Sequence, residues 1–228
     1  MPSPDELCTD EFDRVRRYFT RSAASFDSLY SLDTMSPLMR LVNRTFRRDM
    51  YERFLLSMAH VRTHGLKTAL DVGCGSGRYV AALAELGMER IVGVDSSTTM
   101  VALAQDNIRR SGAPGAVVEL VCADFMAYAT SAQFDVVLAM GFFDYVRDPI
   151  PVLRRMGALA LHSVVASFPS ISVYRTPIRK VRYVFKRCPV YFYTRRKIRA
   201  LGVESGFPRT TIVKIRGSGQ DYFVTFLK

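Results

Sequence analysis

The chain has 228 residues but no tryptophan, only three histidines and no apolar run long enough to cross a bilayer. Its longest nearly apolar stretch, residues 157–168, includes His162 and falls well short of the roughly 20 residues a spanning helix needs. It reads as a buried strand with its approach. Residues 1–25 are polar and charged throughout, without the apolar middle of an export signal, so a cytoplasmic location is expected. Cys8, Cys74, Cys122 and Cys188 lie far apart with no paired spacing. That arrangement suggests neither a zinc site nor a disulfide framework, and predicts reduced thiols and no structural metal. No internal repeat or low-complexity tract is present, which removes solenoids and arrays.

Acid is also scarce. Against 32 Lys and Arg there are 21 Asp and Glu, a formal charge of +11 that would draw phosphates, acidic lipids or a carboxylated substrate. What is plentiful is core-forming material: 49% hydrophobic and 23% charged residues describe a chain that folds by itself. Its length suits one domain with an appendage.

The pattern changes at about residue 65. Before it, Leu38, Val42, Phe46, Met50, Phe54 and Met58 recur every four residues, with Arg40, Arg44, Arg47 and Arg48 between them. This predicts an amphipathic helix, started by Ser36 as N-cap and Pro37 at the first helical position. A further helix is predicted over much of 10–30. Residues 1–65 thus form a helical cap, and 66–228 the core.

In that core, short apolar runs at 68–72, 90–94, 117–122, 134–140 and 163–168 read as strands. Helical stretches at 77–86, 98–110 and 149–159 separate several of them, and Gly87 and Gly112 sit just past two helix ends. Alternating strands and helices imply a parallel sheet in a three-layer α/β domain. Residues 210–216 and 221–227, joined by a Gly-Ser-Gly-Gln turn, predict a closing antiparallel pair.

The first strand runs directly into Gly73-Cys74-Gly75-Ser76-Gly77, placing glycines where backbone must approach a ligand closely. A dinucleotide fingerprint would need glycine at position 78, which is arginine, and Asp71 before the loop would repel a pyrophosphate. Asp95, ending the second strand, can accept both hydroxyls of a ribose, a role that fits either cofactor class.

The run Asp71-Val72-Gly73-Cys74-Gly75-Ser76-Gly77 resembles motif I of class I S-adenosylmethionine-dependent methyltransferases, whose cofactor carries an ammonium and no phosphate. Asp95, Ser97 and Met100 are similar to the family's Asp-x-Ser-x-x-Met pattern, in which the methionine packs against adenine. Ala123-Asp124-Phe125 resembles the family's third marker, a carboxylate that accepts the adenine amino group followed by a residue packed on the base. The run from Phe134 to Gly141 resembles its fourth marker, and Met140 is matched to the backbone contact with the methionine moiety. The resemblance implies a Rossmann-like sandwich with a seven-stranded, mostly parallel sheet whose last hairpin inserts an antiparallel strand. It also implies S-adenosylmethionine as cofactor and S-adenosylhomocysteine as product.

Methyl transfer leaves the acceptor's proton to be placed. Asp144 and Tyr145, after the fourth strand, are the candidate catalytic pair, although an ordinary polar loop contact would also explain them. His60 and His64 suit a helix C-terminus and His162 suits packing, so each is a weaker candidate. The long insert at 169–194 is a candidate substrate cover, with Arg175 as a candidate contact. From Arg175 to Arg199 there are ten cations and no acid, interleaved with Tyr183, Phe185, Tyr191, Phe192 and Tyr193. Such a surface could take an anionic acceptor, a membrane surface or RNA, or simply be solvated. The segment from Ser22 to Tyr30 resembles the lead-in of methyltransferases acting on quinone precursors or porphyrins, which makes Tyr18 and Tyr30 substrate candidates. A small aromatic or carboxylated acceptor is the leading expectation; an RNA methyltransferase and a non-catalytic cofactor-binding partner protein are the alternatives.

Overall fold

The computed structural model describes residues 15–17, 48–112, 115–171, 190–215 and 221–228. Tyr18, Tyr30 and Arg175, with most of the predicted N-terminal helices and most of the basic insert, lie outside the described residues. The first long helix described is α1 (Arg48–Thr63). It is followed by β1 (Thr68–Val72), α2 (Arg78–Glu85), β2 (Arg90–Asp95), α3 (Thr98–Ser111), β3 (Val117–Cys122) and β4 (Phe134–Ala139). The chain closes with α4 (Pro149–Leu159), β5 (Ala160–Phe168), α5 (Arg195–Glu204), β6 (Arg209–Lys214) and β7 (Tyr222–Leu227).

The strands form one seven-stranded sheet in the order β3-β2-β1-β4-β5-β7-β6. The first five pair in parallel, while β7 runs antiparallel between β5 and β6. Alternation along each strand sends side chains to opposite faces. Ala69, Ile91, Val136, Leu138, Val165 and Phe223 line one face, under Val61 of α1 and Val80 and Leu83 of α2. Leu70, Val92, Val137, Val164, Val224 and Phe226 line the other, under Leu153 and Met156 of α4 and Ile198 and Leu201 of α5. Helices on both faces of a mostly parallel sheet make the expected three-layer sandwich.

The helix starts follow local chemistry. Ser97 caps α3 by accepting the Met100 N–H, and Asp148 caps α4 by accepting from Ile150 with Pro149 at the first position. Thr194 caps α5 by accepting the Lys197 N–H. The sequence pattern did not anticipate α5. β5 begins at Ala160, earlier than the predicted start at 163, because Ala160 pairs with Phe134 and an irregularity between Phe134 and Val136 absorbs the change of register. Among the described residues, no helix is long and apolar enough to cross a membrane.

Candidate active site

In a parallel α/β sheet, ligands bind outside the carboxyl ends of the strands, and the adjacent loops after β1 and β4 open that edge here. The loop after β1 is tied to its neighbour: the N–H groups of Gly73 and Cys74 both donate to the Val94 carbonyl, at 2.8 and 3.1 Å. Gly73 and Gly77 both have left-handed backbones, at φ 71° and 75°. A Cβ on Gly73 would stand 2.8 Å from the Phe142 ring, and one on Gly77 2.8 Å from the Ala104 Cβ. Gly75 differs, since nothing lies within 4 Å of its Cβ position and its outer side is open to a ligand.

Asp95 holds this loop in place. One carboxylate oxygen accepts the Gly75 N–H and the other the Ser97 N–H, each at 2.9 Å. Burial raises its pKa, and these two hydrogen bonds pull against that rise. Each oxygen keeps a further lone pair, so the carboxylate that orders the loop can also accept ribose hydroxyls.

Asp71 is only 2% exposed, and its Oδ2 has no hydrogen-bond partner. Burial, and then the charge of Asp95, push its pKa up to about 7. An uncompensated buried carboxylate is costly, and a bound cation would relieve it. This orphaned acceptor beside a glycine loop fits a cofactor with an ammonium and no phosphate, and it opposes a pyrophosphate.

Ser97 is buried and serves as a helix cap. Met100 is 2% exposed and belongs to the inward face of α3. Asp124 is half-buried and accepts the Met126 N–H at 2.8 Å, which fixes the turn after β3. Phe125 joins the core, with the Arg155 guanidinium 5.4 Å from its ring centroid, and Arg155 also donates to the Tyr128 carbonyl.

Met140 is buried at the end of β4. The next N–H, that of Gly141, donates to Ser167 Oγ at 2.7 Å, and Arg53 of α1 reaches the same hydroxyl at 3.4 Å. Gly141, at φ 77°, leaves room for that guanidinium, since a Cβ would lie 3.5 Å from Arg53 Nη2. Sequence reasoning missed Arg53 and Ser167. The one available signal was an arginine next to Phe54 on the apolar stripe of the helix.

Asp144 is 7% exposed and follows directly in the same loop, where its carbonyl accepts the Tyr191 N–H at 2.9 Å. Tyr145 is half-buried, and its N–H closes a turn on the Phe142 carbonyl. Ser170 bridges to Tyr193, and the Tyr193 N–H donates to the Pro169 carbonyl at 2.8 Å. Tyr193 is buried with its hydroxyl on the Val146 carbonyl; burial, then Asp144, hold its pKa above the ordinary phenol range. Both ends of the basic insert are therefore fastened beside Asp144.

The three histidines converge elsewhere, at the amino edge of the sheet. Among the described residues, no group of three His, Cys, Asp or Glu side chains is placed to hold a metal ion.

Comparison with known proteins adds the following. Residues 70–159 match the family described as Methyltransferase domain. The ubiquinone biosynthesis O-methyltransferase of Methylococcus capsulatus is 30% identical over 141 residues, 60% of this chain and 58% of that protein. The ribosomal protein L11 methyltransferase of Photobacterium profundum is 31% identical over 103 residues, 43% of this chain and 34% of that protein. The chain thus spans 58% and 34% of the length of these two relatives. The crystal structure of magnesium protoporphyrin IX methyltransferase from Synechocystis, with bound S-adenosylhomocysteine, superposes with a TM-score of 0.76 at 20% identity. That match covers 94% of this chain and 97% of the other, and shows a common fold.

Proposed function

Residues 70–159 form a domain of the class I S-adenosylmethionine-dependent methyltransferases, and on that premise we propose that the protein transfers a methyl group to a small aromatic or carboxylated acceptor. The observation that carries this reading is the buried carboxylate of Asp71, its Oδ2 without a partner, behind an open glycine loop.

S-adenosylmethionine brings a methyl group on a sulfonium, an already activated leaving group, so orienting the acceptor can supply much of the acceleration. The chain's own residues divide the remaining work. Asp71 supplies a negative charge for the cationic part of the cofactor, and Asp95 offers its remaining lone pairs to the ribose. The Gly73, Gly75 and Gly77 backbone lets the ligand approach. Ser97 and Met100 shape the adenine side from α3, while Asp124 and Phe125 bound it from β3. Met140 and Gly141 present backbone at the methionine end, where Arg53 lies against Gly141 and Ser167 and can meet a carboxylate.

Asp144 and Tyr145 stand on the loop after β4, next to the cofactor loop, and are the pair we assign to orienting the acceptor and receiving its proton. Phe142, Tyr145 and Tyr191 give this side an aromatic character suited to a flat acceptor. Tyr18, Tyr30 and Arg175 complete the proposed acceptor side from the cap (residues 1–65) and the insert (169–194). The exposed cations Arg195, Arg196, Lys197 and Arg199 open α5 next to Tyr193, and they favour an anionic acceptor; RNA is the second reading for the same charge.

The deciding experiment screens labelled S-adenosylmethionine against phenols, aromatic carboxylates and RNA. Transfer to a small acceptor, with Asp144→Asn and Tyr145→Phe lowering kcat more than cofactor affinity, is the expected result. Label entering RNA alone would establish the second reading, and cofactor binding without transfer to any acceptor would count against an enzyme.

A further inference from the structure

All three histidines of the chain, His60 and His64 from one helix end and His162 from a distant strand, meet at the amino edge of the sheet. Ring centroids of His60 and His64 are 4.4 Å apart, those of His64 and His162 4.8 Å, and those of His60 and His162 5.9 Å. His60 Nε2 contacts Ser163 Oγ at 2.8 Å, which fastens α1 to β5. His64 Nδ1 is satisfied by the His60 carbonyl at 2.9 Å. His162 Nδ1 is buried without a partner.

The contact matters because of what else α1 carries. Arg53 lies seven residues before His60, about 10 Å along the helix at ~1.5 Å per residue. The same helix is thus fixed at the cofactor edge by Arg53 on Ser167 and at the opposite edge by His60 on Ser163. Both serines belong to β5. A helix held by one strand at two points transmits a loss at one point to the other.

We propose that His60 is a positioning residue for the cofactor site, and that its protonation within the three-imidazole cluster releases α1 and withdraws Arg53 from Gly141 and Ser167. The inference rests on the role given to Arg53 above.

Charge bookkeeping around the cluster supports it. Around the histidines the chain places Arg62 on α1, Lys67 in the following loop, Glu89 just before β2, Asp135 on β4 and Lys228 after β7. Asp135 is the acid with a resolved attraction to His162, and its oxygen is already engaged by the Lys67 and Thr68 N–H groups at 2.8 and 2.9 Å. Burial, and then His64 and His162, push the pKa of His60 down to about 4. On a detached helix the ring would return towards its ordinary value near 6.5, so mildly acidic solution favours detachment.

The test is calorimetric titration of the full chain with S-adenosylhomocysteine at pH 7.5 and pH 5, reading each variant's affinity ratio between the two. Asp71 titrates in the same window, but it contributes equally to the wild type and to histidine variants. His60→Gln keeps a polar group for Ser163 without a titratable ring, so its affinity should fall several-fold less between the two pH values than the wild type's. The paired variant His64→Gln, His162→Gln leaves His60 in place, removes its like-charged neighbours, and should flatten the profile in the same direction. In an Arg53→Met background the His60→Gln substitution should no longer change the ratio. Identical ratios in wild type and both histidine variants would overturn the proposal. An Arg53→Met affinity equal to wild type at pH 7.5 would instead overturn the role assigned to Arg53.

Discussion

The two edges of the sheet make the same kind of investment with opposite charges. At the carboxyl edge, Asp71 and Asp95 crowd together, one of them buried and partly unpartnered. At the amino edge, three imidazoles crowd together, and one buried nitrogen is likewise unpartnered. Each cluster opposes its own charging: the carboxyl pKa of Asp71 goes up and that of His60 goes down. The acid cluster opens onto an empty-sided glycine loop, where a cation can compensate it. The histidine cluster packs between helix and strand, where Asp135 is the acid with a resolved attraction to it. A like-charge cluster with room for a counter-ion reads as a binding site, and one enclosed by the fold reads as a proton-sensitive joint.

The sharpest contrast comes from removing the acid. The folded state holds the Asp71 proton more tightly than the unfolded chain, so the contribution of this group to the stability of the ligand-free protein is full below about pH 4 and is lost as pH rises towards 7. Asp71→Asn should abolish this decline, raising thermal stability at pH 8 by an amount on the order of a few kcal/mol while weakening S-adenosylhomocysteine. A stabilised variant with unaltered affinity would break the link between the buried charge and the ligand. Wild-type binding at pH 7 should also release protons, which calorimetry in buffers of different ionisation enthalpy detects.

Asp95→Ala comes next. It removes a carboxylate that both orders the loop and faces the ribose, and charged hydrogen bonds are worth about 1.5–3 kcal/mol. The expected loss of affinity is roughly tenfold to a hundredfold. Gly77→Ala should lower stability by about 1–2 kcal/mol through the left-handed backbone, and by more if Ala104 cannot yield, as followed by thermal unfolding.

The smallest effect belongs to the amino edge. His60 binds its proton less tightly folded than unfolded, so it costs nothing above about pH 6.5 and destabilises progressively down to about pH 4. His60→Gln should soften that acid limb in chemical denaturation while leaving the limb due to Asp71 intact.

Legibility in the sequence followed the same divide. The glycine loop, Asp95 and the strands around them were readable because their residues act within a few positions of one another, and backbone geometry alone demands them. The final hairpin was readable for the same reason. Arg53 and Ser167 were not, since they meet through tertiary packing across 114 positions and neither stands in a local pattern. His60 and His64 share a helix end in the sequence, but nothing local links them to His162, and the convergence of the three appears only with the fold. Helix α5 was obscured by the cations that open it, although Thr194 is an adequate cap. Met100, predicted beside adenine, is buried on α3, where the helical pattern alone would also have placed it.

The central claim is that the carboxyl edge takes a cofactor with a positive charge and no phosphate. Its most direct test is calorimetric titration with S-adenosylhomocysteine and with NAD at the same salt concentration. The account predicts saturable binding of S-adenosylhomocysteine and none of NAD; binding of NAD alone would contradict it.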